Sequence, residues 1–440
     1  MMLTSLGRLR DATQSAELTR RVGEVRQLVG LAIEAHGPDV VLGEMCVVRS
    51  RNNDASVPAE VIGLRPGVVT LMPYGPAQGL APGCEVHALG EAASVAAGPA
   101  LLGRVIDGFG HSLDGRADPV CVTKRRLRSQ PINPMQRQRI RTPLETGVRS
   151  IDALLTLGQG QRTGIFAGSG VGKSTLLGMV ARHVKADVNV IALIGERGRE
   201  VKDFIDTHLG EQGMARSVVV VATADQPALA RIRAAQAALA IAEHFRDEGQ
   251  QVLLTMDSIT RYAMARREVG LAAGEPPTAR GYTPSVFADI PQLCERCGTL
   301  ANGGAITAIF TVLVEGDDHN EPISDLLRAT LDGHIVLSRE LAQRGQYPAI
   351  DLLRSASRLM PDLTTPAVRA LALATHRTLA LLERNRQMVE IGAYTSGVNA
   401  ELDHALAIEP ALFAFLCQGE GGVPRDAALT QLAKLMKVHP

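Results

Sequence analysis

The sequence predicts an α/β core with a mainly parallel sheet, preceded by a small β-barrel or sandwich and followed by a helical region. Strand and helix patterns alternate between about residues 163 and 269, and repeated β-α units of this kind predict a parallel sheet with helices on both faces. Short apolar runs separated by turn residues fill about residues 23 to 97, which predicts an all-β domain. Helical patterns without strands follow about residue 360.

Length and composition indicate a soluble protein that assembles with others. The 440 residues suffice for about three domains. The 46 basic and 46 acidic side chains cancel, which differs from the basic balance of a dedicated nucleic-acid binder and leaves little self-repulsion. No run of 18 apolar residues predicts a membrane helix, and residues 1 to 24 lack the apolar core of a signal peptide. We therefore expect a cytoplasmic protein.

The first hundred residues divide into an arm and the all-β domain. Residues 1 to about 22 have a weak helical pattern, as expected for a mobile arm. Turn signals such as Gly37-Pro38 and Arg65-Pro66-Gly67 then separate short apolar runs. The predicted strands are Val40 to Leu42, Met45 to Val48, Val57 to Ile62, Val68 to Met72 and Glu85 to Leu89.

The α/β pattern starts near residue 100 and includes a basic, proline-containing link over residues 124 to 141. Val218 to Val221 forms an apolar run that is typical of a strand buried on both faces. The predicted strands are 163–167, 188–194, 217–222 and 251–256, and the predicted helices are 173–184, 199–209, 227–246 and 258–269. Later helices are predicted at Pro366 to Val389, Ala400 to Ala407, Pro410 to Gln418 and Ala427 to Lys437.

Residues 167 to 175 form a phosphate-binding loop between a predicted strand and a predicted helix. Glycines let successive backbone N–H groups turn toward phosphate oxygens, and the helix start adds its positive end. The lysine can reach the β- and γ-phosphates, and the serine hydroxyl can ligate Mg²⁺. Ala167 replaces the first glycine of the usual pattern, and a Gly-rich turn before a lysine is the alternative. The predicted binding residues are Gly168, Ser169, Gly170, Val171, Gly172, Lys173, Ser174 and Thr175.

Two further strand ends carry acidic residues. Val252 to Asp257 is an apolar strand that ends in an acid, the Walker B pattern, and Asp257 beside the phosphate loop would hold Mg²⁺ together with Ser174. The strand at 188–194 leads into Glu196, our candidate general base, with Arg197 as a γ-phosphate contact and Glu200 as a ligand of a magnesium-bound water. A charged helix start, favoured by the helix dipole, is an equally good interpretation of these three residues.

Six cysteines are scattered along the chain, and only Cys294 and Cys297 have the spacing of metal ligands. A zinc site would need a second pair or suitably spaced histidines, and neither is present. We therefore expect free, largely buried thiols in a reducing compartment.

Eight segments of the chain carry a further resemblance: Phe166 to Thr175, Gly195 to Ile205, Met256 to Tyr262, Gly274 to Thr278, Val314 to Asp318, Leu331 to Arg339, Tyr347 to Arg358 and Ile391 to Tyr394. Together they resemble the export ATPases of flagella and type III secretion systems, relatives of the catalytic subunits of rotary F- and V-type ATPases. The resemblance extends from about residue 23 to the C-terminus.

The resemblance implies a RecA-like, F1-type P-loop core over residues 98–358, a β-barrel over 23–97, a helical domain over 359–440 and an arm over 1–22. It implies ATP and Mg²⁺ as cofactors, with Lys173, Glu196 and Arg197 in catalysis. Tyr347 would pack on the adenine ring, and an ordinary core tyrosine is the alternative. Arg358 would be an arginine finger supplied to a neighbour's site, whereas without the resemblance it would be a surface arginine.

The resemblance also implies partners. The chain would form a homohexameric ring beneath a membrane-embedded export gate, with only peripheral association with the inner membrane. The arm would bind a stator-like regulator, the helical domain would receive substrate–chaperone complexes and a central stalk protein, and no nucleic acid would bind.

Some alternatives remain open at this point. Val201 to Ile205 and Ile391 to Tyr394 favour the flagellar branch, whereas Leu353 to Arg358 and Gly43 to Cys46 favour the injectisome branch; we favour the flagellar one. A rotary synthase subunit or a ring helicase is a second hypothesis, although 3% aromatic residues without tryptophan argue against single-strand binding. A ring subunit that binds nucleotide without turnover is a third, disfavoured by the presence of Glu196.

Overall fold

A computed structural model describes residues 21–50, 56–168, 170–314 and 321–436. The arm predicted for residues 1 to 22 lies almost entirely outside these ranges, as does Ser169 of the phosphate loop. Six antiparallel strands at the start of the described chain close into a barrel in the order β1-β2-β5-β4-β3-β6. These strands are β1 (Val22–Val29), β2 (Ala32–His36), β3 (Glu44–Arg49), β4 (Ser56–Arg65), β5 (Val68–Pro73) and β6 (Glu85–Ala92).

The barrel fold is confirmed, but its first strands differ from the prediction. The predicted strand Val40 to Leu42 is wrong, because this segment is a turn in which Val41 and Leu42 are exposed. The carboxylate of Glu44 accepts the Val41 N–H, so no strand partner is needed there. Strands β1 and β2 are absent from the prediction, since a bulge between Val25 and Gln27 interrupts the alternation of β1.

A mainly parallel sheet follows the barrel and confirms the α/β prediction. Its order is β19-β18-β12-β17-β15-β13-β14-β8, with antiparallel pairing of β19 to β18 and of a short strand β16 to β17. A separate ribbon pairs β7 (Ser94–Ala97) with β9 (Thr123–Arg126), which overlaps the start of the predicted basic link, and β10 (Pro143–Leu144) pairs with β11 (Leu157–Gly158). The sheet strands are β8 (Arg104–Ile106), β12 (Arg162–Ala167), β13 (Val188–Ile194), β14 (Ser217–Ala222), β15 (Gln251–Asp257), β16 (Gly298–Thr299), β17 (Ala305–Leu313), β18 (Gly333–Leu337) and β19 (Ile350–Ser357).

Helices cover both faces of this sheet. Alternate residues of β14 belong to different apolar clusters, Val218 and Val220 with helix α5 (Ala228–Asp247) and Val219 and Val221 with helix α2 (Lys173–His183). The described helices up to the end of the sheet are α1 (Arg149–Leu154), α2 (Lys173–His183), α3 (Gly198–Asp203), α4 (Gly210–Ala215), α5 (Ala228–Asp247), α6 (Ile259–Ala272), α7 (Pro284–Glu295), α8 (Pro322–Thr330) and α9 (Arg339–Gln343). The predicted single helix 199–209 is wrong in detail, because a π-helical turn at Phe204–Leu209 separates α3 from α4.

The C-terminal region is helical, with α10 (Met360–Leu363), α11 (Pro366–Glu390), α12 (Ala400–Leu416) and α13 (Arg425–Met436). The prediction of two helices around Pro410 is wrong, because α12 continues through this proline. A proline removes only one intrahelical hydrogen bond. The buried residues Leu402 and Ala405 before it and Leu412 and Phe415 after it keep one continuous apolar side.

Candidate active site

The phosphate loop connects the end of β12 to the start of α2. Gly170 and Gly172 have φ values of 77° and 86°, a left-handed conformation that side chains with a Cβ rarely adopt. Gly172 is the N-cap of α2, so the helix begins at Lys173 and its first N–H groups have no intrahelical carbonyl partner. Val171 is buried and anchors the loop to the core. This arrangement is the helix-start anion site that phosphate oxygens favour.

Three charged side chains meet at the carboxyl ends of β12, β13 and β15. The Lys173 Nζ lies 2.5 Å from Asp257 Oδ1 and 3.5 Å from Glu196 Oε1. Although burial acts to lower it, the two carboxylates raise the pKa of Lys173 above its ordinary value, so the ammonium stays charged. Burial raises the pKa of Glu196, with Lys173 opposing the shift and Asp257 adding to it. The site therefore pairs a permanent cation with a carboxyl that holds its proton more tightly than usual.

Two residues outside the predicted set complete this cluster. Thr311 on β17 donates its hydroxyl to Asp257, with 2.6 Å between Oγ1 and Oδ1. Arg261 on α6 places its Nε 3.8 Å from Glu196 Oε1, and its aliphatic stem packs on Gly195. A signal existed for both, since Thr311 is a hydroxyl within the apolar run of β17 and Arg261 lies one helical turn after the Walker B acid.

Arg197 and Glu200 lie at the solvent side of the site. The side chain of Arg197 is 75% exposed and forms an ion pair of 3.4 Å with Glu200 across one turn of α3. A hydrogen bond between the Glu196 and Glu200 side chains also raises the pKa of Glu196, which places Glu200 beside the candidate base. Arg261 rather than Arg197 is therefore the arginine that approaches Glu196 in a single chain.

Tyr347 lies next to the phosphate loop although it is far away in sequence. A Cβ built on Gly172 would lie 3.4 Å from Cδ1 and 3.5 Å from Cε1 of the Tyr347 ring. Tyr347 as a residue is 48% exposed, so its side chain is partly open to solvent beside the start of α2. Its position and exposure are those of an aromatic wall rather than of a core side chain.

Arg358 lies at the opposite end of the sheet from the phosphate loop. Ser357 pairs with Gly333, and Gly333 pairs with Thr163 at the start of β12. The loop leaves β12 after Ala167, four residues later, which is about 13 Å at about 3.3 Å per strand residue. Arg358 is exposed, and its Nη2 donates to the Arg328 carbonyl at 2.9 Å. It is therefore remote from the site of its own chain.

The donor set suits Mg²⁺ shared with a bound phosphate. Asp257 and Ser174 supply hard oxygen atoms at the phosphate loop, and Mg²⁺ in nucleotide sites binds through one or two such groups plus phosphate oxygens. Within the described ranges, no cluster of three or more His, Cys, Asp or Glu side chains is arranged to hold a metal by itself. The residues present thus fit a metal that arrives with its nucleotide.

The cysteine pair with ligand-like spacing is buried. Cys294 and Cys297 are fully shielded from solvent, and burial raises the pKa of Cys297 to about 12 and that of Cys294 well above its usual value. Such thiols stay protonated and pack as small apolar groups.

No helix in the described part of the chain has the length and apolar character that a membrane span requires.

Comparison with known proteins gives matches along nearly the whole chain. Residues 25–90 and 147–357 match the beta-barrel and nucleotide-binding domains of the ATP synthase alpha/beta family, and residues 364–434 match the type III secretion system EscN ATPase C-terminal domain. The flagellum-specific ATP synthase of Bacillus subtilis is 51% identical over 410 residues, 93% of each chain. The type 3 secretion system ATPase of Xanthomonas euvesicatoria is 49% identical over 399 residues, 91% of this chain and 90% of that one.

Solved structures include the assembled ATPase EscN in complex with its central stalk EscO, from the type III secretion system of enteropathogenic E. coli. That chain superposes with a TM-score of 0.87 at 42% sequence identity, and the match covers 94% of this chain and 100% of the other. The structural match and the sequence similarity thus each cover more than nine tenths of the chain.

Proposed function

Because the chain belongs to the flagellar and type III secretion ATPases of the ATP synthase alpha/beta family, we propose that it energises protein unfolding and export as a homohexameric ring. The family is one of ATP-hydrolysing enzymes, and the chain is such an ATPase. Each nucleotide would bind between two subunits, one contributing the phosphate loop and the next contributing Arg358.

The residues of one subunit divide the chemistry between them. The loop residues 168–175 and Lys173 bind and orient the phosphates, and Glu196 orients the attacking water and accepts its proton. Tyr347 packs on the adenine, while Arg197 and Glu200 lie at the rim where solvent enters. Ser174 and Asp257 would hold Mg²⁺, which when bound neutralises charge on the β- and γ-phosphate oxygens. When nucleotide binds, Lys173 must give up part of its ion pairing with Asp257 and Glu196 in order to contact the phosphates. Without nucleotide, the two carboxylates hold the Lys173 ammonium in place.

The position of Arg358 is the observation that supports assembly into a ring. Arg358 is exposed and lies about 13 Å, measured along the strands, from its own phosphate loop, so it cannot reach a phosphate bound there. A neighbouring copy can bring it to the γ-phosphate, where a planar guanidinium spreads hydrogen bonds over several oxygens. Such a contact joins one surface of a subunit to a different surface of the next, identical subunit. Repeated contacts of this kind can close into a ring.

One solved relative supports a stalk partner, and the remaining partners are our proposal. EscN is assembled and is bound to a central stalk in its solved complex, and we assign a stalk contact to this chain as well. The helical domain would also receive substrate–chaperone complexes, and the arm would bind a stator-like regulator. The ring would work in the cytoplasm, held peripherally at the inner membrane beneath the export gate.

We assign the chain to the flagellar apparatus on its similarity to the flagellum-specific ATP synthase of Bacillus subtilis, 51% over 93% of both chains. The injectisome is the second candidate, favoured by the type 3 secretion system ATPase at 49% identity. Expression in a Bacillus subtilis strain that lacks its flagellum-specific ATP synthase distinguishes them. Restored filament growth supports the flagellar assignment, and none together with restored secretion in an injectisome mutant supports the other.

The ring mechanism is tested by phosphate release measured against protein concentration. Specific activity should rise with concentration until assembly is complete, and the R358A and E196Q variants should lose activity by about 10³-fold or more and about 10²-fold or more. R354A is the matched control, because Arg354 is an exposed arginine on the same strand β19. Specific activity that does not depend on protein concentration, or an R358A variant as active as R354A, would contradict the ring mechanism.

Mixed rings give a sharper form of this test. An E196Q subunit retains Arg358, and an R358A subunit retains Glu196, so about one quarter of interfaces in a random equal mixture carry both groups. The mixture should therefore recover a sizeable fraction of wild-type activity that neither variant has alone. Recovery no greater than the sum of the two variants would show that both groups act within one subunit.

A further inference from the structure

The loop between α12 and α13, residues 417–424, contacts the nucleotide-binding domain at two places. At one place the backbone N–H of Gln418 donates to the carbonyl of Tyr347 at 2.8 Å. At the other, the Glu420 carbonyl accepts from His183 Nε2 at 2.8 Å, and the Glu420 carboxylate pairs with Arg182 at 3.1 Å. Arg182 and His183 end helix α2, which starts at the phosphate loop. One loop of the helical region thus contacts Tyr347 and the far end of the helix that starts at the phosphate loop.

Gln418 uses its whole amide to fix this loop in place. Its Oε1 accepts the backbone N–H of Arg149 at 2.8 Å, and its Nε2 donates to the carbonyls of Gly147 at 2.7 Å and Gly421 at 2.8 Å. The amide therefore has one acceptor contact and two donor contacts, each close to ideal length. No other amino acid offers this combination on a side chain of the same length.

The turn that receives Gln418 is held by a buried carboxylate. The Asp152 carboxylate, which is fully buried, accepts the N–H groups of Thr146 and Gly147 at 2.9 Å each. Arg149 in turn donates to the Cys417 carbonyl and lies 5.5 Å over the ring of Phe415. The Gln418 amide thus joins the end of α12 to a turn that is locked in the core of the neighbouring domain.

We infer that Gln418 is a positioning residue for Tyr347, and that through it the C-terminal helices set the place of the aromatic wall relative to the phosphate loop. The ring of Tyr347 lies against Gly172, while its carbonyl is held by Gln418, so a shift of the 417–424 loop moves the ring and leaves the phosphate contacts in place. This inference rests on the proposed packing of Tyr347 on the base. Its consequence is that Gln418 controls affinity for the base and not for the triphosphate.

The test uses the full chain with two substitutions at this position. In Q418E, a carboxylate oxygen would face the Gly147 and Gly421 carbonyls, so both donor contacts become repulsive. Q418A removes the three side-chain contacts without repulsion and serves where Q418E folds poorly. The matched control is Q431A, because Gln431 also contacts Arg149, at 3.3 Å from its Nη1, but lies on α13 rather than in the loop that holds Tyr347.

Three quantities are measured at a protein concentration that gives full assembly: kcat and KM for MgATP, and the inhibition constant of inorganic triphosphate with Mg²⁺. Q418E and Q418A should raise KM about tenfold, the order of one lost ring–base contact, with kcat within about twofold. The inhibition constant of inorganic triphosphate should stay unchanged, because this probe has no base. Q431A should match wild type in all three.

The double variant Y347A/Q418E identifies the route of the effect. Y347A alone should raise KM by a similar factor, and adding Q418E should raise it no further, because both changes remove one contact. Equal loss of affinity for inorganic triphosphate, or effects that multiply, would overturn the positioning role and leave Gln418 a purely structural residue. If Y347A itself leaves KM unchanged, the proposed base contact fails and the inference fails with it, whereas a large Y347A effect with a silent Q418E overturns the inference alone.

Discussion

Thr311 and Lys173 both donate to the same oxygen of Asp257. The Thr311 hydroxyl lies 2.6 Å from Asp257 Oδ1, and the Lys173 ammonium lies 2.5 Å from it. Thr311 is on β17, which lies between the phosphate-loop strand β12 and the Walker B strand β15. The strand between the two motifs therefore orients the acid that would hold Mg²⁺, and such supporting contacts tune metal sites strongly.

We expect T311V to weaken the use of Mg²⁺ without unfolding the protein. Valine keeps the shape of threonine but leaves Asp257 oriented by Lys173 alone, and that lysine must turn to the phosphates when nucleotide binds. The Mg²⁺ concentration for half-maximal activity should rise about 10-fold or more. The control is T307V, which removes a buried hydroxyl on the same strand that accepts from Gly160 N at 2.8 Å. It should cost about 1 kcal/mol of stability and leave the Mg²⁺ dependence unchanged. Equal Mg²⁺ curves for T311V and wild type would contradict the expectation.

The pH profile of kcat/KM should place the candidate base. Burial raises the pKa of Glu196 above the ordinary 4.5, and a general base works only when deprotonated. Activity should therefore fall on the acid side through a pKa higher than 4.5. E196Q should lose this limb together with at least about 10²-fold in kcat, while its ATP affinity should be no weaker, because one negative charge near the γ-phosphate is gone. An acid limb that persists in E196Q would assign the titration to another group.

Arg261 should move that same limb in a predictable direction. Its charge, 3.8 Å from Glu196, favours the carboxylate and opposes the burial that raises the pKa of Glu196. In R261Q the acid limb of kcat/KM should shift to higher pH, whereas R261K, which keeps a positive charge, should shift it less. R197Q is the matched control, since the Arg197 side chain is mostly solvated and pairs with Glu200. A larger shift in R197Q than in R261Q would reverse the roles we give these two arginines.

The sequence is most informative where strands are buried on both faces. The predicted strands 188–194 and 217–222 coincide with β13 and β14, because a short, uninterrupted apolar run bounded by turn residues is typical of a central parallel strand. Strand β1 escapes prediction for the opposite reason, since only Gly23 and Val25 of its eight residues are buried and a bulge follows Val25. Pro410 predicts a helix end, yet tertiary packing of Leu412 and Phe415 keeps α12 continuous.

The candidate site divides in the same way. Lys173 and Glu196 follow apolar strands and Asp257 ends one, so local patterns place all three at one edge of a parallel sheet. Thr311 and Arg261 become visible only with the strand order and the helix phase, because neither belongs to a phosphate-binding pattern. Arg358 lies at the opposite end of the sheet from its own phosphate loop because β19 runs antiparallel to β18, and no local sequence pattern predicts this pairing.

The buried Asp152 should give the protein a stability that falls as pH rises. Burial is the largest influence and raises the pKa of Asp152 from its ordinary 3.8 to about 6, although bonds from Thr146 and Gly147 oppose the shift. The folded state therefore binds the proton more tightly than the unfolded state, so the free energy of unfolding decreases between pH 3.8 and about 6. The full effect of this one group is about 3 kcal/mol at about 1.36 kcal/mol per pKa unit.

D152N lacks the titration but keeps an acceptor for Thr146, so the melting temperature of wild type relative to D152N should drop from about pH 4 to about pH 7. D187N is the matched control, because Asp187 is an exposed acid whose oxygen also accepts a backbone N–H, from Gln251 at 2.7 Å. A wild-type offset from D152N that is the same at both pH values would show that the Asp152 carboxyl does not titrate in this window.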